Sequence, residues 1–208
     1  MKKDFSVLLF DLGGVVLDVA PFSKLLEWQG WTKDPKELER RWSESPAARE
    51  YETGLITTKE FVEKMIDEFE LEVSVARFIR EYRLLPRGFY PYAAELLDTL
   101  RRGRTVACLT NTCELHWNKV CCVDKLQSHF TRCYASHLIH FAKPREEAFR
   151  CALRELKAPA GSVAFFDDKT ENVAAAEKLG LAAFRVKGFE ELCEKLGELG
   201  LISTAAQV

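Results

Sequence analysis

Asp11 ends the apolar run Ser6–Phe10 and is followed by Leu12-Gly13-Gly14, so its carboxylate sits at a turn. There it could attack an electrophile or bind a metal ion. Three more polar signals end or follow apolar runs: Thr110-Asn111-Thr112, Lys143 before Pro144, and Asp167-Asp168. Singly, each has an ordinary reading: a turn aspartate, a helix cap, a solvent lysine, acids complementing a helix dipole. Together they form a chemical set. A carboxylate can attack phosphorus, but a phosphate dianion repels it, so a divalent cation must lie between them and further acids must hold that cation. Asp11 with Asp167 or Asp168 offers hard oxygen ligands suited to Mg²⁺. Thr110, the amide of Asn111 and Lys143 can steady the transferring phosphoryl oxygens.

The positioning elements follow from the apolar runs. Ser6–Phe10, Thr105–Leu109, Ser162–Phe166 and Ala182–Val186 lack polar alternation, as strands buried on both faces of a parallel sheet do; Arg132–Ser136 is a weaker fifth. Helical patterns lie between them. Pro91 and Pro144 are predicted to open two helices, Gly103 to close the first, and Thr170 to cap a third that ends at Gly180. This alternation predicts an α/β chain with a Rossmann-like, doubly wound parallel sheet. Ligands bind such sheets outside the carboxyl ends of the strands, where the polar signals fall.

Residues 20–90 break the rhythm with patterns that are helical throughout. Thr57-Thr58-Lys59-Glu60 reads as a capping box before Phe61, Met65, Ile66 and Phe69; Val75, Phe78, Ile79 and Tyr82 form a second stripe. The division expected is a core of 1–19 and 91–208, with a helical cap inserted at 20–90 and hinged near Pro21 and Pro86–Pro91.

Composition excludes several classes. A formal net charge of -2 provides no basic field for nucleic acid, and Glu39-Arg40-Arg41 and Arg101-Arg102-Gly103-Arg104 read as helix ends. Met1-Lys2-Lys3 resembles the start of an export signal, but Asp4, Asp11 and Asp18 interrupt the apolar runs behind it, so neither a signal nor a membrane span is expected. Seven cysteines without any C-x-x-C suit a reducing, cytoplasmic setting. No G-x-G-x-x-G or P-loop pattern occurs, which removes the main support for dinucleotide or nucleoside triphosphate binding. Cys113, His116, Cys121, Cys122, His129, Cys133, His137 and His140 crowd one stretch, yet only His137 and His140 approach zinc-ligand spacing, and buried small hydrophobes are the expectation for the cysteines.

F-D-L-G-G-V-V at 10–16, C-L-T-N-T at 108–112, the lysine of A-K-P at 142–144 and F-F-D-D-K-T-E-N at 165–172 resemble the four signature regions of the haloacid dehalogenase-like superfamily. The resemblance spans nearly the whole chain and implies Mg²⁺-dependent hydrolysis of a small phosphorylated metabolite through an aspartyl-phosphate. It implies Asp11 as nucleophile and metal ligand, the Gly13 carbonyl as a second ligand, Asp168 as the closest acidic ligand with Asp167 beside it directly or through water, and Thr110, Asn111 and Lys143 as phosphate holders. The chain looks most like bacterial phosphatases of sugar phosphates such as α-glucose 1-phosphate, and is similar to the phosphatase domain of soluble epoxide hydrolase.

One position departs from the usual pattern. Most phosphatases of this superfamily carry a second aspartate two residues after the nucleophile as general acid and base, where this chain has Gly13. The glucose 1-phosphate phosphatase subgroup resembles it there. Two rivals follow: an idle fold binding a phosphorylated ligand or protein, supported by Gly13, and a metal-independent dehalogenase, opposed by the paired Asp167-Asp168. His116, less than two helical turns after the Thr110 loop, is a candidate substitute proton donor. Trp42, Arg49, Tyr51 and Glu52 are candidates to line a substrate pocket from the insertion.

Overall fold

The computed structural model describes residues 4–28, 34–123 and 125–203, so the Met1-Lys2-Lys3 opening lies outside it. Its strands are β1 (Val7–Phe10), β2 (Leu17–Val19), β3 (Pro86–Phe89), β4 (Thr105–Thr110), β5 (Arg132–Ala135), β6 (Val163–Asp167) and β7 (Ala182–Arg185). The helices of the insertion are α1 (Phe22–Trp28), α2 (Pro35–Glu44), α3 (Pro46–Glu52), α4 (Thr58–Glu68) and α5 (Val75–Tyr82). Those of the core are α6 (Ala93–Arg101), α7 (Glu114–Cys122), α8 (Ser136–Ile139), α9 (Glu146–Leu156), α10 (Thr170–Lys178) and α11 (Gly188–Glu198).

Five strands form one sheet in the order β5-β4-β1-β6-β7, every pair parallel. The chain leaves the central β1 for one side of the sheet and returns to the other. That topological switch is where an open α/β sheet binds its ligand. Side chains alternate across β1, so Leu8 and Phe10 pack beneath α6, α7 and α11, while Val7 and Leu9 pack against α9 and α10. Both faces are covered, which is why the strands read as unbroken apolar runs.

The insertion has its own hydrophobic cluster, including Phe22, Leu25, Tyr51, Phe61, Met65 and Phe78. Tyr51 stacks on Phe61 with ring centroids 4.2 Å apart. Each fully buried phenylalanine in such a cluster contributes about 2–3 kcal/mol. Thr57 and Glu60 form the reciprocal capping box that starts α4. Cys113, from the loop after β4, belongs to the same cluster, so the insertion also packs on the sheet's edge.

Four local expectations are corrected. The 20–90 segment is not helical throughout: Pro86–Phe89 forms β3, an antiparallel partner of β2 with a register shift between Asp18 and Val19. Pro86 is tolerated because it is the first residue of a strand in a two-stranded ribbon, where few ladder donors are required. Pro91 does not open α6, because Tyr92 takes a left-handed conformation (φ 66°) and the helix starts at Ala93. Pro144 and Arg145 likewise precede α9, which starts at Glu146, and Lys169 rather than Thr170 occupies the N-cap of α10.

Candidate active site

Asp11, Thr110 and Asp167 stand at the carboxyl ends of β1, β4 and β6, three adjacent strands. Parallel pairing in register, Phe10 beside Cys108 and Phe166, brings them to one edge. Lys143 reaches the same point from the loop before α9, with its ammonium 3.0 Å from Asp11 Oδ1 and 2.6 Å from Asp167 Oδ2. All three of these charged side chains are buried. Carboxylate oxygens of Asp11, Asp167 and Asp168 lie within 4.8 Å of one another.

Each group is held by neighbours. The Leu12 N–H donates to Asp11 Oδ1 at 2.7 Å. The Asn172 amide donates to both Asp167 oxygens, at 2.9 and 3.0 Å, and the Lys169 N–H donates to Oδ1 at 2.9 Å. Asn111 spends its side chain on the lysine loop: its amide donates to the Lys143 carbonyl, and the Lys143 N–H donates to its oxygen, both at 2.8 Å. The Asn111 side chain is therefore a clamp, which leaves its backbone amide as the donor to consider. Gly14 adopts φ +70°, and a Cβ there would stand 3.1 Å from Asp168 Oδ2, so glycine permits the turn and the approach of that carboxylate.

The electrostatics show an excess of negative charge. Burial pushes the Asp11 carboxyl up to about 6; Lys143 draws it down and Asp167 pushes it further up. Asp168 is also raised, by burial and then by Asp167. Burial opposes the charge on Lys143, but Asp11 and Asp167 overcome it and its pKa is raised. Three clustered carboxylates on one ammonium leave negative charge uncompensated, and a hard divalent cation is the natural neutraliser. The residues present therefore fit a metal ion.

Gly13 is not forced by packing: a Cβ there would meet only the Val19 side chain, at an ordinary 3.5 Å. His116 lines a small cavity of about 100 Å³ with Gly13, Thr110, Asn111 and Thr112. It stacks on Tyr82, and its Nε2–H donates to the Tyr82 carbonyl at 2.8 Å. His129 pairs with Asp98, and His140 bonds the Thr53 carbonyl. Of the insertion's four candidates, Trp42 and Tyr51 pack within the aromatic cluster and Arg49 is exposed. Glu52 is the one whose charge is felt at the site, through Lys169, Asp11 and Lys143.

The state of His116 carries a prediction. Burial pushes its imidazole down to about 4, with the Tyr82 carbonyl opposing and Lys119 adding to the fall. The unfolded chain then binds more protons below its ordinary value of about 6.5. The stability this neutral ring contributes is present above that value and is lost as pH falls towards about 4. Urea unfolding of the wild type and His116→Gln is expected to show their difference shrinking by about 2 kcal/mol between about pH 7.5 and 4.5. A pH-independent difference would mean the ring titrates alike in both states.

Sequence reasoning missed Asn172 and Ser136. Asn172 lies in the F-F-D-D-K-T-E-N run but five residues from Asp167, and only the first turn of α10 folds its amide back onto that carboxylate. Ser136 follows β5 as an unremarkable serine, yet its hydroxyl accepts from the Thr112 N–H at 2.9 Å and donates to the Glu52 carbonyl at 2.5 Å.

A parallel sheet with a carboxylate, a lysine and a paired acid converging at its carboxyl edge defines a Rossmann-like α/β protein built around an acidic, cation-requiring centre. Residues 5–180 match the family model described as haloacid dehalogenase-like hydrolase, and the chain belongs to that family. A protein from Porphyromonas gingivalis described as a predicted HAD-like family hydrolase shares the fold at a TM-score of 0.79 and 20% identity, over 94% of this chain and 97% of that one. A HAD family enzyme from Bacteroides thetaiotaomicron, solved as its magnesium complex, aligns at 0.77 and 25% identity over 89% and 95%. A dehalogenase has the same fold, at 0.67 and 20% identity over 89% and 86%. Among the described residues, no helix is long and apolar enough to cross a membrane.

Proposed function

We propose that the chain is a Mg²⁺-dependent phosphomonoester hydrolase acting on a small phosphorylated metabolite, foremost a sugar phosphate. Asp11 is its nucleophile. The observation that carries this reading is the convergence of Asp11, Lys143 and the Asp167–Asp168 pair at one point. The magnesium complex of the Bacteroides enzyme supports the choice of ion. Asp11, Asp168 and the Gly13 carbonyl would hold the ion, with Asp167, whose oxygens already accept from Lys143, Asn172 and the Lys169 N–H, beside it through water. The ion would shield the substrate's negative charge from the attacking carboxylate. Thr110, the Asn111 backbone amide and Lys143 would hold the phosphoryl oxygens. Residues 1–19 and 91–208 act as the catalytic core and 20–90 as a cap that closes over the substrate. Seven free thiols favour a reducing, cytoplasmic setting.

Gly13 favours one second reading, a fold that binds phosphorylated ligands without turning them over. A single comparison separates the two. Phosphate release from p-nitrophenyl phosphate and from a panel of sugar phosphates is measured with Mg²⁺ and with EDTA, beside halide release from 2-haloacids. Phosphate release that EDTA abolishes, without halide release, is the expected result. No phosphate release from any substrate would leave the binding fold standing, and metal-independent halide release would favour dehalogenation.

A further inference from the structure

The centre described above has a nucleophile, a cation and acids for a metal ion, but Gly13 leaves it without the usual group to protonate a departing alcohol. Neighbouring groups do not fill the gap. The Asp167 oxygens are occupied by Lys143, Asn172 and the Lys169 N–H. His116 spends its Nε2–H on the Tyr82 carbonyl. Glu114 receives a hydrogen bond from Thr58 on the insertion.

Glu52 is differently placed. It is the last residue of α3, and the turn that follows it is pinned to the core. The Ser136 hydroxyl holds the Glu52 carbonyl, and His140 Nδ1 donates to the Thr53 carbonyl at 2.9 Å. Gly54, at φ +70°, lies so close to the His137 carbonyl that no side chain would fit. Because Ser136 also receives the Thr112 N–H, one hydroxyl ties this turn to the loop that carries Thr110 and Asn111. The Glu52 carboxylate is half-buried and has no hydrogen-bond or ion-pair partner among the described residues. Its charge is felt by Tyr82 and Cys113 on one side, and it interacts with Lys169, Asp11 and Lys143 on the other.

On the phosphatase reading, from which this step follows, we infer that Glu52 is the catalytic acid and base, supplied by the insertion in place of a side chain at position 13. In the first half-reaction an Asp11 oxygen bonds to phosphorus and the ester P–O bond breaks. The Glu52 carboxyl proton passes to the departing oxygen, giving the free alcohol and a Glu52 carboxylate. In the second half-reaction water attacks phosphorus, its proton returns to Glu52, and the Asp11 carboxylate is released with inorganic phosphate. Burial raises the Glu52 carboxyl above its ordinary pKa, Lys169 opposing and Asp11 adding to the rise, which favours the protonated form that an acid needs. The fixed turn gives this acid a defined position whenever the insertion is docked.

The test compares leaving groups. p-Nitrophenolate departs without a proton, whereas an alkoxide from a sugar hydroxymethyl group needs one. Wild type, Glu52→Gln and Glu52→Asp are assayed with Mg²⁺ on p-nitrophenyl phosphate and on a hexose 6-phosphate. In kcat/KM, which reads only the step that expels the leaving group, Glu52→Gln is expected to lose about 10²–10⁴-fold on the sugar phosphate and much less on p-nitrophenyl phosphate. Its kcat is expected to fall on both, because hydrolysis of the aspartyl-phosphate has lost its base, and Glu52→Asp to rescue part of each loss. With an active wild type, equal losses of kcat/KM on both substrates, or no loss on either, would overturn the role of Glu52 alone. A wild type inactive on both would overturn it together with the phosphatase reading.

Discussion

Lys143→Ala is expected to destabilise the metal-free protein by about 3–5 kcal/mol at pH 8. Its ammonium is buried between Asp11 and Asp167, at 3.0 and 2.6 Å, and removing it leaves two carboxylates facing each other without their cation. For a chain of this length, a loss of that size lowers the Tm by roughly 10 °C. The deficit has a characteristic pH dependence. Asp11 already stands at about 6 with Lys143 present, and without that partner its carboxyl moves higher still. The charged form is then the costly one, so the deficit is largest above that pKa and is relieved as pH falls and Asp11 takes a proton. Adding Asp167→Asn to Lys143→Ala removes one of the opposed charges and is expected to recover part of the loss, measured as a double-mutant cycle in EDTA. A loss below about 1 kcal/mol, unchanged between pH 8 and pH 5, would show that Lys143 does not hold the carboxylates.

The same lysine shows what a linear sequence can and cannot reveal. The parallel sheet was legible because β1, β4 and β6 are buried on both faces, which demands unbroken apolar runs such as Val7–Phe10 and residues 163–166. Asp11, Thr110 and Asp167 were legible for the same reason, as polar residues where those runs stop. The ribbon of β2 and β3 was not. Pro86-Arg87-Gly88-Phe89 carries no strand pattern, and its pairing with Leu17–Val19 joins residues about seventy positions apart. Helix starts were misplaced where left-handed or N-cap conformations, at Tyr92 and Lys169, fall on residues without a capping signal. At the site, the clamp between Asn111 and Lys143 spans 32 residues and the bond from Ser136 to Glu52 spans 84, so both follow from tertiary packing and leave no local trace. Glu52 could be noted as a pocket candidate, but nothing nearby in sequence set it apart from Arg49.

Asp11→Asn is expected to separate stability from activity in the direction opposite to most active-site losses. The substitution removes one charge from three carboxylates that share an incompletely neutralised site. In EDTA the variant should therefore be as stable as the wild type or more so, since an amide of the same shape is buried at lower cost than a carboxylate among like charges. Two properties should disappear. If Asp11 is a ligand as proposed, saturating Mg²⁺ should stabilise the wild type by RT ln(1 + [L]/Kd), about 2.7 kcal/mol at a hundred times Kd, and the variant should lose most of that gain. Phosphate release should fall by about 10⁴-fold or more, because the amide supplies no anionic oxygen to form the aspartyl-phosphate. Thermal unfolding with and without Mg²⁺, run beside the phosphatase assay, reads all three quantities on one preparation. A variant that unfolds earlier in EDTA than the wild type would place Asp11 in the packing of the β1 turn instead. A variant that keeps its activity would remove Asp11 as the nucleophile while leaving the metal cluster intact. The expected combination, an unharmed fold with neither ion response nor turnover, belongs to a residue that strains its surroundings when empty and is stabilised by the ion and substrate it serves.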